Sequence, residues 1–147
     1  MAWTKTSIGN GWSKLTETQS ALAAGTSAGV TSSAITGSML NELAKAGSYL
    51  LEVVIPDTGT VVADTSIHGA QSDGTTYQSI ATDIIADQNQ NTTKVYHQNG
   101  VSSSGLKFNS TKDSGSGTAA ITYNVVYWDN GPAQADMTIA GIGTDPS

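Results

Sequence analysis

From Tyr49 to Ile55 every odd-numbered residue is apolar, and a period of two marks a strand with one buried face. Val61, Ala63 and Ile67 continue that period against Asp64, Ser66 and His68. The pattern is clearest near the C-terminal end. There Ala119, Ile121, Tyr123, Val125 and Tyr127 share one face, and Thr122, Asn124, Val126 and Trp128 share the other. Tyr77–Ala86 is rich in β-formers with imperfect alternation, Thr92–His97 reads as a strand, Leu106–Asn109 as a short one, and Gln134–Ile142 as a last one. Turn-forming residues separate these runs at Pro56–Gly59, Ser72–Gly74, Asp87–Asn91, Asn99-Gly100, Asp113–Gly117 and Asp129–Pro132.

One segment changes period. Met39, Leu43 and Ala46 form an i, i+4, i+7 stripe, with Ser38 placed to cap the N-terminus and Gly47 to end the helix in a left-handed conformation. A helix near 38–46 has about two turns, so it depends on packing and is expected to plug one end of a sheet or sandwich. Residues 1–35 show no sustained period. They carry Trp3, Ile8, Trp12 and Leu15 among polar residues, followed by a tract of small residues. Two readings stand for the tryptophans: packing on this domain's own sheet, or an extended arm that anchors on a partner subunit. The expected fold is mainly β, an antiparallel β-sandwich or small barrel with one short α-helix and an extended N-terminal arm. The expected division is an arm over 1–35 and a single β-rich domain over 36–147.

Composition narrows the functional classes. The chain has 147 residues, and Thr, Ser, Gly and Ala supply 71 of them. Charged residues make up 12%, half the usual share of about 25%. With six Lys, no Arg and a net charge of −6, the chain lacks the clustered cations that nucleic-acid binding needs. No Cys is present, which removes disulfides, thiolate metal sites and thiol nucleophiles. No apolar run is long enough to span a membrane. No apolar stretch follows Lys5, so no secretory signal is expected and synthesis in a host cytoplasm is.

Candidate chemistry is sparse. His68 and His97 both fall on predicted strands as outward polar positions, and Gly69–Gly74 lacks the spacing and the following helix of a nucleophile elbow. The acids lie mostly in turns, with Glu52, Asp64 and Asp83 mid-strand. Asp87-x-Asn89-x-Asn91 matches the first three ligand positions of a calcium-binding loop. Thr92 then replaces the required Gly, and Gln98 the bidentate Glu, so a polar turn is the reading adopted. No catalytic residue, metal ligand or cofactor is expected.

Three features together carry a resemblance: the stretch from Ala2-Trp3-Thr4-Lys5 to Trp12, the Ser/Thr/Gly/Ala tract over 20–38, and the strands around Tyr49–Ile55 and Ala119–Trp128. In composition and organisation the chain resembles tailed-bacteriophage virion proteins of the capsid decoration or cement type. The resemblance implies a non-enzymatic β-sandwich or barrel, often a homotrimer, on the outer surface of the virion. It would bind the major capsid protein or other virion subunits and stabilise coat-subunit contacts. Trp3, Ile8, Trp12 and Leu15 are the expected partner contacts. The alternative is a carbohydrate- or receptor-binding β-module of a head fibre or tail accessory protein, using surface aromatics such as Tyr77, Tyr96 and Trp128.

Overall fold

The computed structural model describes residues 2–22 and 29–129. The strands are β1 (Thr4–Gly9), β2 (Trp12–Leu22), β3 (Val30–Thr31), β4 (Ser48–Ile55), β5 (Val62–Ala70), β6 (Tyr77–Asn89), β7 (Thr92–Asn99), β8 (Leu106–Ser114) and β9 (Ala119–Trp128), with helix α1 (Gly37–Ala46) between β3 and β4. They form two antiparallel sheets in a sandwich-like arrangement. Sheet A runs β1-β2-β9-β4-β7 and sheet B runs β3-β8-β5-β6.

The inward faces are those given by the period of two. Tyr49, Leu51, Val53 and Ile55 of β4 are buried, as are Ile121, Tyr123, Val125 and Tyr127 of β9. Phe108 of β8 stands at the centre of this interior. Its ring meets Tyr49 at 6.5 Å, Tyr123 at 5.8 Å and Trp3 at 6.0 Å, two of the three edge-to-face. Polar groups also cross the interior: Thr65, Ser110 and Tyr123 form a hydroxyl chain with 2.7 Å links that joins sheet B to sheet A. Burial raises the Tyr123 phenol above its ordinary pKa, so it serves this chain as a neutral hydroxyl.

The N-terminal part departs from the expected arm. Residues 4–22 form the β1–β2 hairpin, and β2 continues sheet A by pairing with β9 from Trp12↔Trp128 to Leu22↔Ala119. The buried side of β2 reads Ser13, Leu15, Glu17, so two of three inward residues are polar and no apolar alternation shows in the sequence. Hydrogen bonds offset part of the cost of that burial, while Glu17 Oε1 has no partner among the described residues. Ser13 donates to Asp129 at 2.9 Å, and Glu17 accepts from the Ser33 backbone N–H at 2.7 Å. β1 is latched by Lys5, whose ammonium pairs with Asp129 at 2.8 Å and Glu42 at 3.0 Å.

The helix starts earlier than Ser38. Thr36 is the N-cap, extended and without a side-chain capping bond, and Gly37 turns the chain at φ +60°. Gly47 ends α1 as expected, left-handed at φ +86° with its N–H on the Leu43 carbonyl. Leu40 and Leu43 enter the core, and α1 covers the end of the sandwich where β4 begins and β9 finishes. β6 is longer than expected and strongly bulged: its residues 79–88 face only residues 63–68 of β5. The strand expected over Gln134–Ile142 lies outside the described residues.

Candidate interaction surface

The outward positions of sheet A form its least charged surface. Across the middle, Thr16 donates to Asn124 at 2.8 Å and Asn124 donates to Glu52 at 2.8 Å; one row away Thr18 bonds Thr122 at 2.9 Å. These links fix the side chains as a flat polar band. At the end near α1 the face turns apolar. Trp12 and Trp128 are cross-strand partners whose rings meet edge-to-face at 5.5 Å, and Leu50 pairs with Val126 beside them. A groove of about 250 Å³ is lined there by Trp12, Ser48, Leu50, His97 and Val126. A second, of about 230 Å³, lies between α1 and the end of β9, lined by Glu42, Lys45, Ala46, Trp128 and Asp129.

Four large hydrophobic side chains are exposed among the described residues: Ile8 (49%), Trp12 (37%), Ile80 (51%) and Val95 (56%). Ile8 stands beside Trp12 at the β1–β2 bulge and Val95 lies opposite Glu52, so three of the four share the outer side of sheet A. By register, Lys14 and Glu52 are the Lys, Asp and Glu side chains on that side. Proximity to Trp12 leaves His97 facing the apolar end.

The residues expected to contact a partner are therefore divided. Ile8 and Trp12 are exposed on one face. Leu15 is fully buried between the sheets, so its side chain offers nothing to a partner. Trp3 is half-buried against Phe108 and donates its indole N–H to the Ser33 carbonyl at 2.9 Å, which is the own-sheet packing of the first reading. The members sequence reasoning missed are Leu50, Val95 and Val126. Leu50 and Val126 sit on the face opposite a buried run, and Val95 lies on β7, where no residue is fully buried, so Val and Leu were counted simply as strand formers. The aromatics of the carbohydrate alternative do not converge. Tyr77 lies on β6 of sheet B beneath the Lys107 ammonium at 4.3 Å, Tyr96 points to the interior side of β7, and Trp128 belongs to sheet A.

The outer side of sheet B has a different character. Asp64, Asp87 and Asp113 bring carboxylate oxygens within 4.8 Å of one another, a donor set suited to a hard cation. The bulges of β6 create this cluster: Asp83 and Asp87 have positive φ, and the Asp87 N–H donates to Asp64 at 2.8 Å. Repulsion from Asp64, with help from Asp87 and Asp83, raises the Asp113 pKa. The Asp87–Asn91 segment runs from the end of β6 into the turn before β7 and contributes Asp87 to a cluster across strands. His68 shares this side, its pKa lowered by burial and by Lys107, whereas His97 is on sheet A. The two imidazoles face opposite sides of the sandwich and cannot serve one site.

No helix among the described residues is long and apolar enough to cross a membrane. Fold and surface together define an antiparallel β-sandwich with one near-neutral, partly apolar face and one acidic face. No protein-family model matches the chain, and no curated protein matches it.

Proposed function

We propose that this protein is a non-enzymatic virion structural protein of the capsid decoration or cement type, and that it docks through the outer face of sheet A onto coat subunits. One observation carries the reading: Ile8, Trp12 and Val95, three of the four exposed large hydrophobics, share one flat face of low charge. Such a collection is the surface a contact protein presents. The threonines and the Thr16–Asn124–Glu52 row around it are already held, so docking orders few flexible side chains. Homo-oligomerisation, with a trimer favoured, would multiply weak contacts at each site.

The test is sedimentation of lysate from cells that produce the particle. The chain is expected to travel with virion-sized particles, and an I8D/V95D variant with unchanged melting temperature is expected to stay at the top of the gradient. A wild-type chain at the top, or a double variant still on the particles, overturns the reading. The exposed Trp12 beside Ser48 and His97 favours a second reading, sugar binding. A glycan array decides it: saturable binding that Trp12→Ala abolishes supports the carbohydrate module, and silence supports the docking protein.

A further inference from the structure

Three tyrosines are buried among the described residues, and two of them have partners for their hydroxyls. Tyr123 shares a hydrogen bond with Ser110 and Tyr127 donates to Glu42, each at 2.7 Å. Tyr49 is 2% exposed and its ring meets Phe108, yet its hydroxyl has no hydrogen-bond partner among the described residues. Burial, then the neighbouring Tyr96, raises its pKa, so the phenol keeps its proton and is a donor without an acceptor.

Tyr49 and its cross-strand partner Gln98 line a recess of about 90 Å³ between the sheets. The Gln98 amide N–H donates to the Asn99 carbonyl at 3.1 Å, which leaves the amide oxygen as an acceptor. Ile67, Ala81 and Leu106 of sheet B supply an apolar wall, and no Lys, Asp or Glu among the described residues lines the recess. β6 opens its mouth. The register passes from Ser79↔His68 to Ala81↔Ile67, so Ile80 is the extra residue of a bulge and stands 51% exposed at the rim. Gly69 makes room for it, since a Cβ there would lie 3.0 Å from Ile80 Cδ1.

These features define the guest. An apolar cavity of about 150 Å³ takes the six carbons of benzene, so this recess takes about four non-hydrogen atoms. A carboxylate or ammonium would enter without a counter-charge, and a hydrocarbon would leave the phenol unpaired. We propose that the recess binds the acetamido group of an N-acetylated small molecule. That group sets a methyl against Ile67, Ala81 and Leu106, a carbonyl to accept from Tyr49 and an N–H to donate to Gln98. The remainder of the molecule leaves past Ile80, the one exposed large hydrophobic among the described residues that lies on sheet B. None of Ile8, Trp12 and Val95 lines the recess, so this site and the docking face can fail independently.

N-methylacetamide, N-acetylglucosamine and Nε-acetyllysine are titrated into the full-length chain, with glucosamine and lysine as unacetylated controls. In NMR spectra the methyl signals of Ile67, Ile80 and Leu106 are expected to shift saturably with the acetylated compounds only, and those of Ile8 and Val95 to stay in place. Tighter binding of N-acetylglucosamine assigns a sugar as the source of the group, and tighter binding of Nε-acetyllysine assigns an acylated lysine. Tyr49→Phe keeps the ring against Phe108 and removes only the hydroxyl, so affinity should fall about five- to ten-fold at an unchanged melting temperature. Ala81→Leu fills the recess and should abolish the shifts, whereas Trp12→Ala should leave them intact. No saturable shift with any acetylated compound, equal shifts from the controls, or undiminished affinity in a folded Tyr49→Phe chain overturns the proposal.

Discussion

Asp129 and Asp113 respond to pH in opposite directions. Asp129 has a depressed pKa, chiefly because it accepts from Lys5 and secondarily from Ser13. Its stabilising contribution is therefore present above the unfolded-state pKa and is lost as the pH falls through the folded one. Asp113 has a raised pKa because Asp64, Asp87 and Asp83 repel its charge, so its ionised form works against folding and that penalty vanishes in acid. Asp129→Asn should thus lower the melting temperature at neutral pH, and Asp113→Asn should raise it. Both differences should shrink as the pH drops below the carboxylate range, as thermal melts at a series of pH values will read. Neither role was legible in sequence, where both residues sit in ordinary turns. Asp113 acquires its neighbours across strands, from β5 and from a bulged β6.

At the scale of elements, legibility followed how faithfully a strand alternates. β4 and β9 were read with their buried faces because each inward position is apolar. β2 was missed because Ser13 and Glu17 share its inward side with Leu15, and their hydrogen-bond partners, Asp129 and Ser33, lie far away in sequence. β6 alternates imperfectly because extra residues bulge out along it. Removing residues 1–15 would strip β1 and the start of a core strand, so truncation reads stability before it reads binding. Glycines give a sharper check on the turns. Gly47 has left-handed φ and open space around it, so Gly47→Ala should cost about 1–2 kcal/mol in backbone strain. Gly115 has φ +94°, and an added Cβ would lie 2.0 Å from the Thr60 carbonyl oxygen. Gly115→Ala must therefore move the β8–β9 loop as well, and chemical denaturation should rank it clearly below Gly47→Ala in stability.

For the molecule as a whole, the excess of small residues acquires a place. On sheet A's outer side Thr16 lies level with Val95 and Thr18, Thr122 and Thr93 fill the next row away from the apolar end, while Asp64, Asp87 and Asp113 gather on sheet B. The sequence showed a β core and a shortage of charge, but it could not show that three of the four exposed large apolar residues among those described come from β1, β2 and β7. Only the strand order β1-β2-β9-β4-β7 puts Ile8, Trp12 and Val95 on one side. That segregation is the central claim, because a contact protein needs one face committed to its partner. Hydroxyl-radical footprinting of the particle-bound chain against the free chain tests it most directly. Ile8, Trp12 and Val95 should lose reactivity on the particle while Ile80, on sheet B, keeps it. Protection of Ile80 with Ile8 and Val95 still reactive would contradict the account.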